Sequence, residues 1–188
     1  MSLFDAELQM PLRPLRLQEY DLLIEMGAFQ SERVELIDGR LVQMSPQGER
    51  HVRAVSALMR IFNRALGDRA EVRGQAPFTA SNESVPEPDV ALVAPGPYTT
   101  EHPSTAMLIV EASDATLRLD RVRKGPLYAA SKVAEYWIVN LVDECVEIHR
   151  DPANGRYRSV ETHGRGAVIH PLAFPDVAVP VDELLPPV

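Results

Sequence analysis

Two carboxylates stand on consecutive apolar segments that have the character of strands. Asp89 follows a proline and precedes VALV, and Glu111 ends the run LIVE, 22 positions later. That spacing leaves room for one strand, one loop and the next strand, so adjacent strands would bring both side chains within reach. Two such carboxylates, with backbone oxygen and water, suit Mg²⁺ or Mn²⁺. The alternative is that Asp89 caps a turn and Glu111 pairs with an arginine in a structural ion-pair network.

Three further side chains could complete such a site. The ammonium of Lys124 could orient a metal-bound water or stabilise developing negative charge. It could equally be a surface lysine in the basic run that begins at Arg121. Glu35 lies in the apolar segment VELID and could instead be the solvated position of an edge strand. His51 lies on or beside the apolar stripe of a long helix, where a lone histidine is more often a hydrogen-bonded core residue than a ligand.

Length and composition predict one globular domain with a buried core. The chain has 188 residues, 45% of them hydrophobic and 24% charged. We expect a loose, proline-punctuated arm over residues 1–14 and a single domain over 15–188. The single cysteine, Cys145, excludes an internal disulfide framework. The start has no signal-peptide pattern and no apolar run approaches the ~18 residues of a membrane helix, so we expect a soluble, cytoplasmic protein without a membrane segment.

The net charge argues against a broad nucleic-acid-binding face. The 27 acidic residues outnumber the 19 lysines and arginines, giving a formal charge of −8. A local basic groove is still compatible with this balance. Arginines on the long helix and next to Lys124 could form it, and the candidates for nucleic-acid contact are Arg53, Arg121 and Arg123.

The first half of the chain predicts two helices, a hairpin and a first pair of sheet strands. A helix over 17–26 ends at a glycine, and Asp38-Gly39 joins strands over 33–37 and 40–44. Ser45-Pro46 is typical of a helix start, and we expect that helix to run to Leu66 with Val52 in its apolar stripe. A weaker strand is expected over 70–79, followed by a turn-rich loop and the strand DVALV.

The second half predicts a buried strand, a short helix and a hairpin. MLIVEAS is apolar on both faces, which indicates an interior strand. Gly125-Pro126 suggests a boundary, with a short helix beginning at the proline through PLYAASKVAEY. WIVNLV is then a strand, residues 145–163 a hairpin, and the proline-limited tail ends in a short helical turn. This order of elements is typical of an α/β or α+β fold, in which helices surround one mixed sheet.

Several motifs in this order resemble one known family. The segments RVELIDGRLVQMSP, PEPDVALV, LIVEAS and LDRVRKGPLYAASKVAEYWIVNL resemble the Uma-two family of restriction endonuclease-like proteins, within the PD-(D/E)XK nuclease superfamily. The resemblance covers residues 15–185. It implies a restriction-endonuclease-like core, flanking helices and a C-terminal β-hairpin.

The resemblance also implies a set of catalytic residues. Asp89 and Glu111 would bind the divalent metal together with the backbone carbonyl of Ala112. The family's first glutamate and its helix histidine correspond to Glu35 and His51. One departure stands out, because the superfamily places lysine two residues after the acid, where this chain has serine. The resemblance suggests that Lys124 supplies that cation from the following segment.

The resulting function hypothesis is a Mg²⁺- or Mn²⁺-dependent endonuclease that hydrolyses the phosphodiester bonds of DNA. A second hypothesis is a catalytically silent module with the same fold that acts in binding or assembly, and a homodimer is expected. The hairpin 145–163 and the proline-rich tail are its candidate contact surfaces. A third hypothesis is a metal-dependent hydrolase of a small phosphodiester, for which the acidic charge matters less.

Overall fold

The computed structural model describes residues 12–187 as a six-stranded mixed sheet with helices on both faces. Most of the predicted arm over 1–14 lies outside the described residues, so the predicted domain division stays a prediction. The helical segments are α1 (Leu17–Glu25), α2 (Glu49–Leu66), α3 (Leu117–Leu119), a π-helical segment (Asp120–Lys124), α4 (Gly125–Ala130) and α5 (Val181–Leu184). The strands are β1 (Val34–Ile37), β2 (Arg40–Gln43), β3 (Glu71–Gly74), β4 (Val90–Val93), β5 (Leu108–Ser113), β6 (Glu135–Asn140), β7 (Cys145–Ala153), β8 (Arg156–His163), β9 (Val168–Ile169) and β10 (Val179–Pro180).

The main sheet has the order β3-β4-β5-β6-β7-β8 and buries its central strands on both faces. Only β5 and β6 are parallel, and the helical crossover from α3 to α4 joins them. Alternation along β5 sends Leu108 and Val110 towards the helix α2, where they pack in one core with Phe62. Ile109 points to the opposite face and packs with Tyr128 of α4. Glu111 shares the Ile109 face by the same alternation, so its carboxylate lies beneath the crossover helices.

Two tight turns fix the hairpins that the sequence predicts. Asp38 and Gly39 both adopt positive φ, 50° and 70°, and connect β1 to β2. Asn154 and Gly155 do the same, with φ of 51° and 70°, between β7 and β8. Gly39 also has no room for a side chain, because a Cβ there would lie 2.2 Å from Cβ of Pro14.

Several element boundaries were predicted wrongly. The long helix begins at Glu49, after Gly48, and not at Ser45-Pro46. Val52 is 42% exposed and therefore lies outside the buried stripe of α2. Strand β3 covers only part of the predicted 70–79, and the helix predicted through PLYAASKVAEY ends at Ala130, before β6. The backbone of Gly48 is extended, with φ of −83° and ψ of 163°, so the long helix cannot include the residues before it.

Gly125-Pro126 is not a boundary, because helical backbone runs without interruption from Leu117 to Ala130. The amide of Gly125 donates to the carbonyl of Asp120, five residues back, as a π turn requires. Pro126 has no N–H to donate and stands in the first turn of α4, directly after this π turn. The π turn holds one residue more than an α-helical turn. It therefore changes the direction of the side chains from Lys124 onwards, compared with a regular α-helix.

Candidate active site

Asp89 and Glu111 meet at the junction of β4 and β5, as their spacing predicts. These strands are antiparallel neighbours, and the amide of Asp89 points at Oε2 of Glu111 at 3.4 Å. The amide of Ala112 donates to Oδ2 of Asp89 at 2.8 Å. Because the N–H and C=O of one strand residue face the same side, the Ala112 carbonyl also faces the side of Asp89. Two carboxylates and one backbone oxygen therefore converge.

Lys124 is buried between two glutamates. Its Nζ lies 3.1 Å from Oε1 of Glu111 and 3.1 Å from Oε2 of Glu35. Lys124 is 5% exposed and Glu35 is 3% exposed, so the readings of a surface lysine and a solvated edge glutamate are both wrong. The alternative that Glu111 pairs with an arginine is also wrong, since its partner is a lysine. A buried cation between two buried carboxylates offsets a large part of their desolvation penalty.

The place where the superfamily puts its lysine is filled by a serine and an aspartate. Ser113 lies on the same face of β5 as Glu111, and its hydroxyl donates to Oδ2 of Asp120 at 2.7 Å. The hydroxyl of Thr116 donates to the same oxygen at 2.7 Å. Asp120 opens the π segment that ends at Lys124, so the short side chain at 113 leaves space that the lysine of the next segment reaches.

His51 joins the site through Asp89. Its Nε2 lies 2.9 Å from Oδ2 of Asp89, and its Nδ1 is buried without a partner in the described chain. Gln75 adds a longer contact to Oδ1 of Asp89 at 3.3 Å. Burial would raise the pKa of Asp89, but the hydrogen bonds from His51, Ala112 and Gln75 outweigh burial and lower this pKa overall. Asp89 therefore carries a negative charge.

The pKa of the second carboxylate, Glu111, is shifted in the opposite direction. Burial raises the pKa of Glu111 well above its ordinary value, and the Lys124 ammonium opposes that rise only in part. Further carboxylates nearby add to it, namely Asp120, Asp89 and Glu35. Burial would lower the pKa of Lys124, but the surrounding carboxylates, Glu111 first among them, raise it overall, so the lysine stays protonated. Carboxylates outnumber cations here, and a further cation would be stabilised.

Tyr128 and Asp120 belong to the site but were not among the residues predicted for it. The hydroxyl of Tyr128 donates to Oε1 of Glu111 at 2.8 Å, and burial raises the pKa of Tyr128 well above its ordinary value. Asp120 is 2% exposed, and burial likewise raises its pKa. The helical spacing of four residues between Lys124 and Tyr128, and between Asp120 and Lys124, is the signal that could have placed all three on one face.

The site lies in a pocket of about 260 Å³ that is strongly acidic. Residues 43–48, between β2 and α2, form one wall, and the start of the crossover forms another. Six carboxylates contribute to the lining: Glu35, Glu87, Asp89, Glu111, Asp114 and Asp120. Within the described residues, the basic side chains of the lining are those of Lys124 and His51.

The three arginines predicted to contact nucleic acid each have a protein partner. Arg121 makes a two-point contact with Glu147, with Nε to Oε2 at 3.1 Å. Arg123 is more exposed and lies 3.7 Å from Asp38. Arg53 donates to a backbone carbonyl of the C-terminal tail at 3.3 Å. Their role in DNA contact stays a prediction. Arg123 is held less closely by its partner than Arg121 is.

The donor set fits a hard divalent cation that keeps most of its water. Between residues 12 and 187, no three histidine, cysteine, aspartate or glutamate side chains are arranged to hold a metal ion. The ligands on offer are two carboxylates, of Asp89 and Glu111, and the carbonyl of Ala112. Mg²⁺ is commonly bound by one or two carboxylates together with water and substrate phosphate, so this set is sufficient in kind.

The fold and these residues define a restriction-endonuclease-like protein. The chain belongs to the Uma2 (Uma-two) family, described as "Putative restriction endonuclease", whose model matches residues 17–182. It is similar to the crystal structure of a "putative nuclease belonging to DUF820" from Anabaena variabilis, with a TM-score of 0.71 and 18% identity. That match covers 91% of this chain and 97% of the other. No curated protein matches the chain. None of the helices in the described range has the length and apolar character needed to cross a bilayer.

Proposed function

We propose that this protein is a divalent-metal-dependent endonuclease that hydrolyses phosphodiester bonds of DNA. The observation that carries the proposal is the convergence of Asp89, Glu111 and the Ala112 backbone on one side of a pocket, with Lys124 on the other oxygen of Glu111. Membership of the family described as "Putative restriction endonuclease" supports the same class of reaction.

Each residue has a distinct part in the proposed reaction. Asp89, Glu111 and the Ala112 carbonyl would hold Mg²⁺ or Mn²⁺, which when bound lowers the pKa of a water ligand and polarises a phosphate oxygen. Lys124, kept protonated by its carboxylate partners, offers its ammonium to the attacking water or to the charge that develops on phosphate. His51 holds Asp89 in place through Nε2 and orients water or phosphate from the pocket wall.

Glu35 has a supporting part. It holds Lys124 from the side opposite Glu111, and its Oε2 also accepts the amide of Glu87 at 3.1 Å. We assign it either to this positioning or to a second cation. DNA would approach across the mouth of the pocket with phosphates near Arg123, in a homodimer acting in the cytoplasm. Because the net charge is −8, the bound metal would supply a larger share of the attraction for phosphate than it does in a basic nuclease.

The test is the variant Asp89→Ala, compared with Asp176→Ala. Asp176 pairs with Arg69 far from the pocket and is exposed, so its loss should leave activity unchanged. We expect Asp89→Ala to abolish Mn²⁺- or Mg²⁺-dependent nicking of plasmid DNA while circular dichroism still shows a folded protein at the assay temperature. Cleavage that survives in a clean Asp89→Ala preparation would contradict the proposal.

The silent binding module is kept as a second candidate because the principal side chains of the site already contact one another. Lys124 bridges two glutamates, and His51 engages Asp89, so each principal charge has a protein partner. This candidate predicts no saturable Mn²⁺ binding in calorimetry of the wild type, even with an oligonucleotide present. For a hydrolase of a small phosphodiester the acidic net charge of −8 matters less, and cleavage of bis(4-nitrophenyl) phosphate without DNA binding would identify that activity.

A further inference from the structure

Tyr128 is a fully buried hydroxyl aimed at the candidate metal ligand Glu111. It lies on α4 at 0% exposure and donates to Oε1 of Glu111 at 2.8 Å. Lys124 lies one helical turn earlier and donates to the same oxygen at 3.1 Å. Two donors on one helical face therefore hold one and the same carboxylate oxygen.

The ring of Tyr128 has little freedom to move. Phe78 packs against it edge-on, with ring centroids 6.1 Å apart, and Tyr136 packs at 5.1 Å. All three rings are fully buried in the core beneath the crossover. Such aromatic contacts are close-packed and favour one ring orientation, so the hydroxyl is a fixed donor and not an adjustable one.

This arrangement determines which oxygen of Glu111 faces Asp89. The last torsion of a glutamate side chain is broad and roughly two-fold, so the carboxylate has no strong preference of its own. With Oε1 held by Tyr128 and Lys124, Oε2 is the oxygen that remains on the side of Asp89, whose amide lies 3.4 Å away. The second oxygen is thereby directed to the place where the two carboxylates converge.

We propose that Tyr128 is a positioning residue, whose hydroxyl fixes the rotation of the Glu111 carboxylate so that Oε2 is presented as the metal ligand. The inference rests on the proposed function, because it takes Glu111 to be a metal ligand. It assigns to a core tyrosine a part in the site that is separate from its packing. Hydrogen bonds that orient a ligating carboxylate commonly change metal affinity by about 10- to 100-fold.

The test compares Tyr128→Phe with Tyr157→Phe. Each change removes one hydroxyl and keeps the ring. Tyr157 is a suitable control because its hydroxyl donates to the carbonyl of Val133 at 2.9 Å, and its ring stacks on Tyr136. We expect calorimetry with Mn²⁺ to give about 10- to 100-fold weaker binding for Tyr128→Phe, and a change of less than about two-fold for Tyr157→Phe.

The outcomes separate this inference from the proposed function. Wild-type binding that Asp89→Ala removes and that Tyr128→Phe leaves unchanged overturns the positioning role alone. Absence of Mn²⁺ binding in the wild type, even with an oligonucleotide present, overturns the proposed function and with it this inference. A crystal of the wild type soaked in Mn²⁺ tests the inference without a variant, because it shows which oxygen of Glu111 coordinates the ion. Coordination through the Glu111 oxygen that Tyr128 does not contact supports the inference, and coordination through the oxygen that Tyr128 contacts overturns it.

Discussion

Two glutamates on one row of the sheet have opposite environments. Ile138 of β6 pairs with Glu111 on one side and with Glu147 of β7 on the other, so both glutamates lie on the same face two strands apart. The π segment serves both of them with cations three residues apart. Arg121 contacts Glu147, and Lys124 contacts Glu111.

The difference lies in whether each carboxylate has a cation of its own. Glu147 receives two bonds from Arg121 and one from Asn140 at 2.8 Å. Burial would raise the pKa of Glu147, but these partners lower it overall. Glu111 shares its one cation with Glu35, and burial raises its pKa well above the ordinary value. A matched ion pair of the first kind holds the fold, whereas an excess of buried carboxylate leaves a place for an added cation.

The largest effect that tests this comparison is on stability. Lys124→Met leaves Glu35 and Glu111 buried without their cation, and we expect a loss of about 3 kcal/mol or more in the free energy of unfolding. Arg121→Met should cost only ~1 kcal/mol, because Arg121 is half-exposed and Asn140 still donates to Glu147. Urea unfolding at neutral pH measures both losses.

A compensating change checks the reason for that loss. If the cost of Lys124→Met comes from unpaired carboxylates, the double variant with Glu35→Gln should recover part of the stability. Equal losses for the lysine and arginine variants, or no recovery in the double variant, would contradict the distinction between the two glutamates.

The pH dependence of stability should differ in sign between the two glutamates. The pKa of Glu147 is lowered by folding, so its stabilising contribution is present above the unfolded value of about 4.5 and is lost as the pH falls. The pKa of Glu111 is raised by folding, so its contribution is present below about 4.5 and is lost as the pH rises.

Glutamine substitutions separate these two contributions. In metal-free buffer, the stability of Glu111→Gln relative to the wild type should increase as the pH rises from 5 to 8, because glutamine resembles the neutral acid. Glu147→Gln should lose stability over the same range and approach the wild type in acid. Thermal unfolding across this pH range measures both, and parallel curves for the two variants would show that the environments are equivalent.

Much of this site could be predicted from local patterns. The separation of Asp89 and Glu111 left room for two adjacent strands, and the apolar run before Glu111 predicted a buried strand. The structure confirms both. The hairpin at Asp38-Gly39 followed from turn residues that accept positive φ. Such features depend on neighbours in sequence or on one strand pairing.

The environment of Lys124 could not be predicted in the same way. The proline at 126 favoured a break, and only the π turn before it lets the helix continue and direct Lys124 to Glu111. Tyr128 belonged to an apolar helical pattern in which a tyrosine is ordinarily core. Its hydroxyl acquires a role only when helix and sheet are packed, which is long-range information.

The smallest expected effect is on the salt dependence of DNA binding, and it distinguishes the two arginines of the π segment. Because Arg121 is already bound at two points by Glu147, we expect it to contribute little to phosphate contact. Arg123 is 59% exposed on its side chain, and its contact with Asp38 is longer at 3.7 Å, so it can turn towards a phosphate at little cost. Arg123→Ala should reduce the slope of log K against log salt by about 0.9, as loss of one phosphate contact would, and Arg121→Ala should barely change it.

Fluorescence anisotropy with a labelled duplex, in Ca²⁺ to prevent cleavage, measures these slopes between low and moderate salt. Arg158→Ala is a matched control, since Arg158 is an exposed arginine on β8 paired with Asp151 at 2.9 Å. A smaller slope for Arg121→Ala than for Arg123→Ala would mean that DNA displaces Glu147 from its arginine. The ion pair of Arg121 and Glu147 would then be exchangeable. The two glutamates would differ in how firmly each one's cation is held and not in the type of environment.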